Sequence, residues 1–169
     1  MGKDIKGIKI TKFANVPATR IIEWDAGHRV YKHEGKCAHV HGHRYRAEIT
    51  AQAELDDIGR VIDFGILKER VGGWIDTHWD HGMLLTANDP LVQVWPMLPV
   101  IVGDDLDTTT TWSQLDHKHF IMPNNPTAEN IATFIGEQVA PECLEGTGVN
   151  IVAVRVWETP NCYADWRIV

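Results

Sequence analysis

Cys37, His41 and His43 fall within the run Cys37-Ala38-His39-Val40-His41-Gly42-His43, and His28 closes the upstream run Trp24-Asp25-Ala26-Gly27-His28. Such a grouping requires two separate stretches of chain to meet. In an extended strand alternate side chains share a face, so His41 and His43 both reach one ion while Gly42 keeps the opposite face small. His28 ends the apolar stretch Ile21-Ile22-Glu23-Trp24-Asp25-Ala26, and an antiparallel neighbour strand brings it beside the pair as a third ligand. Three imidazoles leave a tetrahedral zinc one open position, as catalytic zinc requires. Cys37 then has two readings, a thiol beside an open zinc or a fourth ligand closing a structural site. Any one of these histidines alone suits a surface or satisfied core position; the four residues together point to a metal.

The strand that carries the pair continues with clean alternation. Tyr45, Ala47, Ile49, Ala51 and Ala53 take one face, and Arg44, Arg46, Glu48, Thr50 and Gln52 the other, the period of a half-buried strand. Ile8 to Phe13 and Ile21 to Ala26 read as extended segments. Asp56-Asp57-Ile58-Gly59 supplies a turn, and Arg60 to Phe64 a short strand. From Phe64 the period changes to helical, with Leu67, Val71, Trp74, Ile75 and His78 recurring, against a cost of about 1 kcal/mol for each of Gly72 and Gly73. A second helix starts near Asn125-Pro126-Thr127, where Asn125 or Thr127 caps, and buries Ile131, Phe134, Ile135 and Val139. Asn150 to Trp157 and Tyr163 to Val169 finish the chain as strands around a Thr159-Pro160-Asn161 turn.

At 169 residues and 44% apolar content the chain suits one globular domain, 1–169, with a substantial core. No stretch approaches the ~20 apolar residues of a membrane span, and Met1-Gly2-Lys3-Asp4-Ile5-Lys6 lacks the apolar core of a signal peptide, so a cytoplasmic location is expected. Three cysteines, Cys37, Cys143 and Cys162, are too few for a disulfide framework and read as thiols. A formal charge of −7 with no basic run disfavours a nucleic-acid partner.

Residues 86 to 123 are broken by Asn88-Asp89-Pro90, Pro96, Pro99 and Gly103-Asp104-Asp105 and read as a long insertion. Trp95, Met97, Leu98, Val100, Ile101 and Val102 make it apolar enough to pack, on a neighbouring subunit for instance. Within it, Thr108 to Thr111 and His117-Lys118-His119 offer a second metal or phosphate site, against a solvated-loop reading that is favoured. Asp80-His81 pairs a carboxylate with an imidazole, the arrangement of a general base, although a capping role for Asp80 serves equally. Glu158 ends the strand Val152 to Trp157, where two carboxylate oxygens suit a heterocycle bearing an amide and an amino group. The alternative is a surface Glu paired with Arg155 or Arg167.

In order, His28, Cys37-x-x-x-His41-Gly42-His43-x-Tyr45, Val61-Ile62-Asp63-Phe64, Asp80-His81, Pro126-Thr127-Ala128-Glu129-Asn130 and Val156-Trp157-Glu158-Thr159 resemble the 6-pyruvoyltetrahydropterin synthase superfamily, most closely its bacterial 6-carboxy-5,6,7,8-tetrahydropterin synthase branch. The resemblance runs from about residue 20 to 169 outside the insertion, and departs at Gly27, where relatives usually carry alanine. It implies an α+β tunnelling fold, a four-stranded antiparallel sheet with two helices on one face. Three chains close a barrel and two trimers stack as a homohexamer with sites between subunits. It implies zinc held by His28, His41 and His43, with Cys37 as the proton-abstracting thiolate. Asp80 and His81 form a relay facing Cys37 of a neighbouring chain; Glu158 anchors the pterin, with Thr127 and Glu129 near that pocket. The implied reaction is a lyase step on 7,8-dihydroneopterin triphosphate in 7-deazaguanine (queuosine-type) biosynthesis. A pyruvoyl-forming synthase and a non-catalytic zinc-binding assembly module are the alternatives.

Overall fold

A computed structural model describes residues 16–94 and 117–169. The expected strand at 8–13, the apolar residues 95–102 and Thr108 to Thr111 lie outside the described residues. Six strands form one sheet: β1 (Ala18–His28), β2 (His41–Gln52), β3 (Gly82–Thr86), β4 (His119–Met122), β5 (Asn150–Thr159) and β6 (Cys162–Arg167), in the order β4-β3-β1-β2-β5-β6. β1, β2, β5 and β6 make the antiparallel four-stranded sheet expected from the sequence. β3 and β4 extend it in parallel beyond β1, which corrects the strand count to six. The two were illegible for a physical reason. Met83, Leu84, Leu85 and Thr86 are all buried, the continuous run of a parallel strand rather than an alternating one, and β4 has only four residues within the stretch taken for an insertion.

The alternation of β2 holds as read, with Tyr45, Ala47, Ile49 and Ala51 fully buried. On β1, Ile22, Trp24, Ala26 and His28 face the same side. Trp24 lies opposite Tyr45 in the ladder, and their rings stack with centroids 5.2 Å apart. Gly27 lies opposite Gly42 on the other face, and a Cβ on Gly42 would come within 3.0 Å of the Ala26 carbonyl oxygen.

Phe64–Leu67, Lys68–Gly72 and Gly73–His78 run as one helix, α1, whose middle portion is π-helical. Leu67, Val71 and Ile75 make its buried stripe, continued by Trp79 just beyond its end. A strict four-residue recurrence exceeds the 3.6 of an α-helix, and the wider π turn accommodates it. Phe64 and His78, expected on the stripe, are exposed. Arg60 to Phe64 is not a strand. Asp56 accepts backbone N–H bonds from Ile58 and Arg60, and Asp63 caps α1 by accepting from the Gly65 N–H at 2.7 Å; short acidic side chains here turn the backbone away from a ladder.

Leu91–Val94 forms a short helix, α2. Ala128–Phe134, Ile135–Val139 and Ala140–Cys143 form α3, again with a π-helical middle. Of the two candidate caps it is Thr127 whose hydroxyl accepts from the Asn130 N–H. One buried cluster joins Leu67, Val71 and Ile75 of α1, Ile131, Ile135 and Val139 of α3, and Ile22, Ile49 and Val154 of the sheet. Among the described residues no helix is long and apolar enough to cross a membrane.

Gly136 in α3 sits under the indole of Trp166 on β6, where a Cβ would lie 2.3 Å from the nearest ring atom. Gly136→Ala gains up to about 1 kcal/mol of helix propensity but displaces a ring whose Nε1–H also donates to Glu137. Overpacking of this kind costs about 1–3 kcal/mol. The expected net result is a lower thermal midpoint, measured by calorimetry.

Candidate metal and acid–base site

The β1–β2 register sets His28 opposite His41 and Ala26 opposite His43, so all three imidazoles share the core face. Their ring centroids are 4.4, 5.1 and 4.9 Å apart. One ligand nitrogen from each lies within 4.8 Å of the others, a grouping that could hold a metal ion. His28 is buried; His41 and His43 are half-buried.

Two of the rings have their tautomer set by backbone. His28 Nδ1–H donates to the Pro126 carbonyl and His41 Nδ1–H to the His39 carbonyl, both at 2.7 Å. A carbonyl only accepts, so each Nδ1 carries the proton and each Nε2 of the neutral ring is a bare lone pair. Those two Nε2 atoms are 3.1 Å apart. Two acceptors at that distance attract only through a cation between them, and this donor set fits zinc. Burial, followed by the neighbouring imidazoles and against the Pro126 bond, lowers the His28 pKa to about 4. Burial also lowers that of His43, against Glu158. Both are therefore neutral, the form that binds metal.

Glu158, in the last turn-ward residues of β5, brings its Oε1 to 3.4 Å from His28 Nε2 and 3.9 Å from His43 Nε2. Arg155 and Arg167 turn instead to Asp165. Cys37 sits half-buried in a 3₁₀ turn, Lys36–Ala38, with its carbonyl accepting from the Val30 N–H at 2.8 Å. Its sulfur is outside the group of mutually close ligand atoms. The Tyr45 phenol is held above its usual pKa by burial first, then by Glu158 and Cys37, and its ring centroid lies 5.8 Å from that of His28 and 5.7 Å from that of His43. Its buried hydroxyl has no hydrogen-bond partner among the described residues.

Asp80 and His81 follow the end of α1. Asp80 Oδ1 accepts from the Asp25 N–H at 2.8 Å, and Oδ2 from His81 Nδ1–H at 2.6 Å. The His81 N–H donates to the Asp25 carbonyl. His81 adopts a φ of 57°, a left-handed conformation uncommon outside glycine, and its side chain is 78% exposed. Burial works against ionisation of Asp80, yet the Asp25 N–H and His81 hold its pKa below the usual value. Lys118 changes its standing here. Its Nζ donates to the carbonyls of Asp76 and Asp80, both at 2.6 Å, closing the C-terminal end of α1, and His119 opens β4. The solvated-loop reading of this trio is therefore corrected.

A cleft of about 600 Å³ is lined by Gly27, Gly42, His43, His81, Met83 and Lys118 among others. Another, of about 560 Å³, includes His43, Arg44, Trp157 and Glu158. His43 and Arg44 border both, so His43 links the cleft that holds His81 to the one that holds Glu158. Thr127 and Glu129 line neither; the Thr127 hydroxyl is engaged in the cap, and Glu129 is exposed in the first turn of α3. Sequence reasoning missed the Pro126 carbonyl, the Asn125 side chain and the role of Lys118. The dipeptide Asn125-Pro126 was visible only as a helix-start signal.

The family model described as 6-pyruvoyl tetrahydropterin synthase matches residues 18–168, and this chain belongs to that family. It is 36% identical over 151 residues to the 6-carboxy-5,6,7,8-tetrahydropterin synthase of Rickettsia bellii, covering 89% of this chain and 99% of that one. An uncharacterized protein of Wolinella succinogenes shares the fold with a TM-score of 0.71 at 20% identity, over 90% of this chain and 98% of that one. The 6-pyruvoyl tetrahydropterin synthase of Plasmodium falciparum does so with a TM-score of 0.62 at 20% identity, over 92% and 99%.

The folded-state pKa of His28, about 4, lies below its ordinary 6.5, so between those values the unfolded chain binds more protons than the folded one. In the metal-free protein the stability associated with neutral His28 is complete above about pH 6.5 and is lost as the pH falls toward 4, by roughly 3 kcal/mol. Urea unfolding of the chelator-treated protein from pH 4 to 8 should show this slope, and His28→Asn should flatten it.

Proposed function

We propose that this chain is a zinc-dependent lyase that converts 7,8-dihydroneopterin triphosphate to 6-carboxy-5,6,7,8-tetrahydropterin, releasing acetaldehyde and triphosphate, in 7-deazaguanine (queuosine-type) biosynthesis. The observation that carries the reading is the pair of bare Nε2 atoms 3.1 Å apart, with the Glu158 carboxylate 3.4 Å from one of them, in a chain of this family. The name of the Rickettsia bellii relative supports the carboxy branch.

Bound by His28, His41 and His43, zinc would supply Lewis-acid polarisation of the substrate's side-chain oxygens. The remaining chemistry falls to protein groups. Cys37, as its thiolate, takes a carbon-bound proton beside those oxygens. Asp80 holds Nδ1–H of His81 and so leaves Nε2 free to pass a proton onward. Glu158 presents two acceptor oxygens to the amide and amino donors of the pterin edge, with Thr127 and Glu129 assigned near that end. Elimination of triphosphate, followed by cleavage of a side-chain carbon–carbon bond with addition of one water whose oxygen ends in the new carboxyl, completes the sequence. Closure of three chains into a barrel, with the His81 of one chain facing the Cys37 of the next and two trimers stacked, is supported by a sheet that, among the described residues, ends in the edge strands β4 and β6, the places where strand addition occurs.

Anaerobic incubation of the zinc-loaded protein with 7,8-dihydroneopterin triphosphate, followed by mass spectrometry, should give acetaldehyde with the 6-carboxy product. Cys37→Ala should keep its zinc and lose at least about 100-fold in turnover. Loss of zinc in that variant would make Cys37 a fourth ligand; a pyruvoyl product would move the chain to the sister reaction, and no turnover would sink the assignment.

A further inference from the structure

Asn125 makes an unusual pair of contacts for a residue that precedes a helix cap. Its Oδ1 accepts from the Tyr31 N–H at 2.9 Å, and its Nδ2–H donates to the Tyr31 carbonyl at 3.0 Å. The carboxamide thus copies one rung of a β-ladder across 94 residues of sequence. Its own carbonyl accepts from the Thr127 N–H at 2.8 Å and from Asn130 Nδ2 at 2.9 Å, so it is fixed to the first turn of α3, whose Ile131 and Ile135 are in the core. The next residue, Pro126, is buried and holds His28 Nδ1. Two consecutive residues therefore grip the chain at positions 28 and 31.

The segment so gripped leads directly to the thiol. Val30 donates its N–H to the Cys37 carbonyl, and His33 to the Val30 carbonyl, so the turn that bears Cys37 folds back on the backbone beside Tyr31. We infer that Asn125 is a positioning residue that holds both the histidine cluster, through Pro126 and His28, and the Cys37 turn, through Tyr31. Only a carboxamide satisfies both Tyr31 groups. An aspartate of the same size keeps the acceptor but sets an oxygen against the Tyr31 carbonyl, and alanine keeps neither bond. The metal half of the inference rests on the reading of the three histidines as zinc ligands; the Cys37 half does not.

The test is zinc affinity of the metal-free full chain by chelator competition, together with peptide-resolved alkylation of Cys37 by iodoacetamide, for Asn125→Ala and Asn125→Asp. Partners that orient a ligating histidine typically change metal affinity about 10–100-fold, and both variants should lose affinity in that range while Cys37 alkylates several-fold faster. Val139→Ala, a buried truncation elsewhere in α3, serves as a stability control that should leave both readouts at the wild-type level. Wild-type zinc affinity and Cys37 reactivity in the two Asn125 variants would overturn the inference, as would equal changes in Val139→Ala. If the wild-type chain takes up no zinc, the ligand reading fails, and Cys37 reactivity alone decides whether Asn125 holds the turn.

Discussion

The register of β1 against β2 is the constraint on which the rest of the molecule depends. It sets His28 opposite His41 and, four residues down the ladder, Trp24 opposite Tyr45. A slip of one residue would turn every side chain of one strand to the other face, placing Trp24 in solvent and His28 away from its partners. The same choice therefore decides the core and the site. The stacked Trp24–Tyr45 pair and the buried Ile22, Ala47 and Ile49 supply the hydrophobic term that makes the correct register win. Gly27 and Gly42, facing each other at the end of the ladder, allow the two strands to approach where the histidines need them.

A site of this kind is costly to the fold. Three imidazoles packed with centroids within about 5 Å, two of them presenting lone pairs to each other, gain nothing from that arrangement without a cation. The cost is met by the backbone carbonyls of Pro126 and His39, which satisfy one nitrogen on each of two rings, and by the core around them. The supports come from distant parts of the chain: Pro126 from the loop before α3, Glu158 from β5, and Asp80 with His81 from the end of α1. Lys118 and Asp25 secure that last pair from both sides, which sustains the left-handed backbone of His81.

Much of this was legible beforehand, wherever a pattern is local. The alternation from Tyr45 to Ala51 appears as read, and the stripes of α1 and α3 do so at Leu67, Val71 and Ile75 and at Ile131, Ile135 and Val139 though not at Phe64 or His78, because period alone reports which side of an element is buried. Failures came where short-range chemistry or burial on both faces removes the period. Asp56 and Asp63 made turns and a cap of a predicted strand, and β3 hides as a uniformly buried run. Lys118 looked like a loop residue because its partners, two backbone carbonyls at the end of α1, carry no side-chain signature.

The sequence by itself determined the candidate residues: three histidines at spacings that a strand pair must bring together, a neighbouring cysteine, and the ordered motifs that mark the family. Tertiary structure alone decided how those groups are held, which ring nitrogen faces the cluster, and that Glu158 comes within 3.4 Å of His28. The reason is physical. Side-chain identity and period are written locally, but a hydrogen bond from His28 to the carbonyl of Pro126, 98 residues away, exists only once the sheet and α3 have closed on each other.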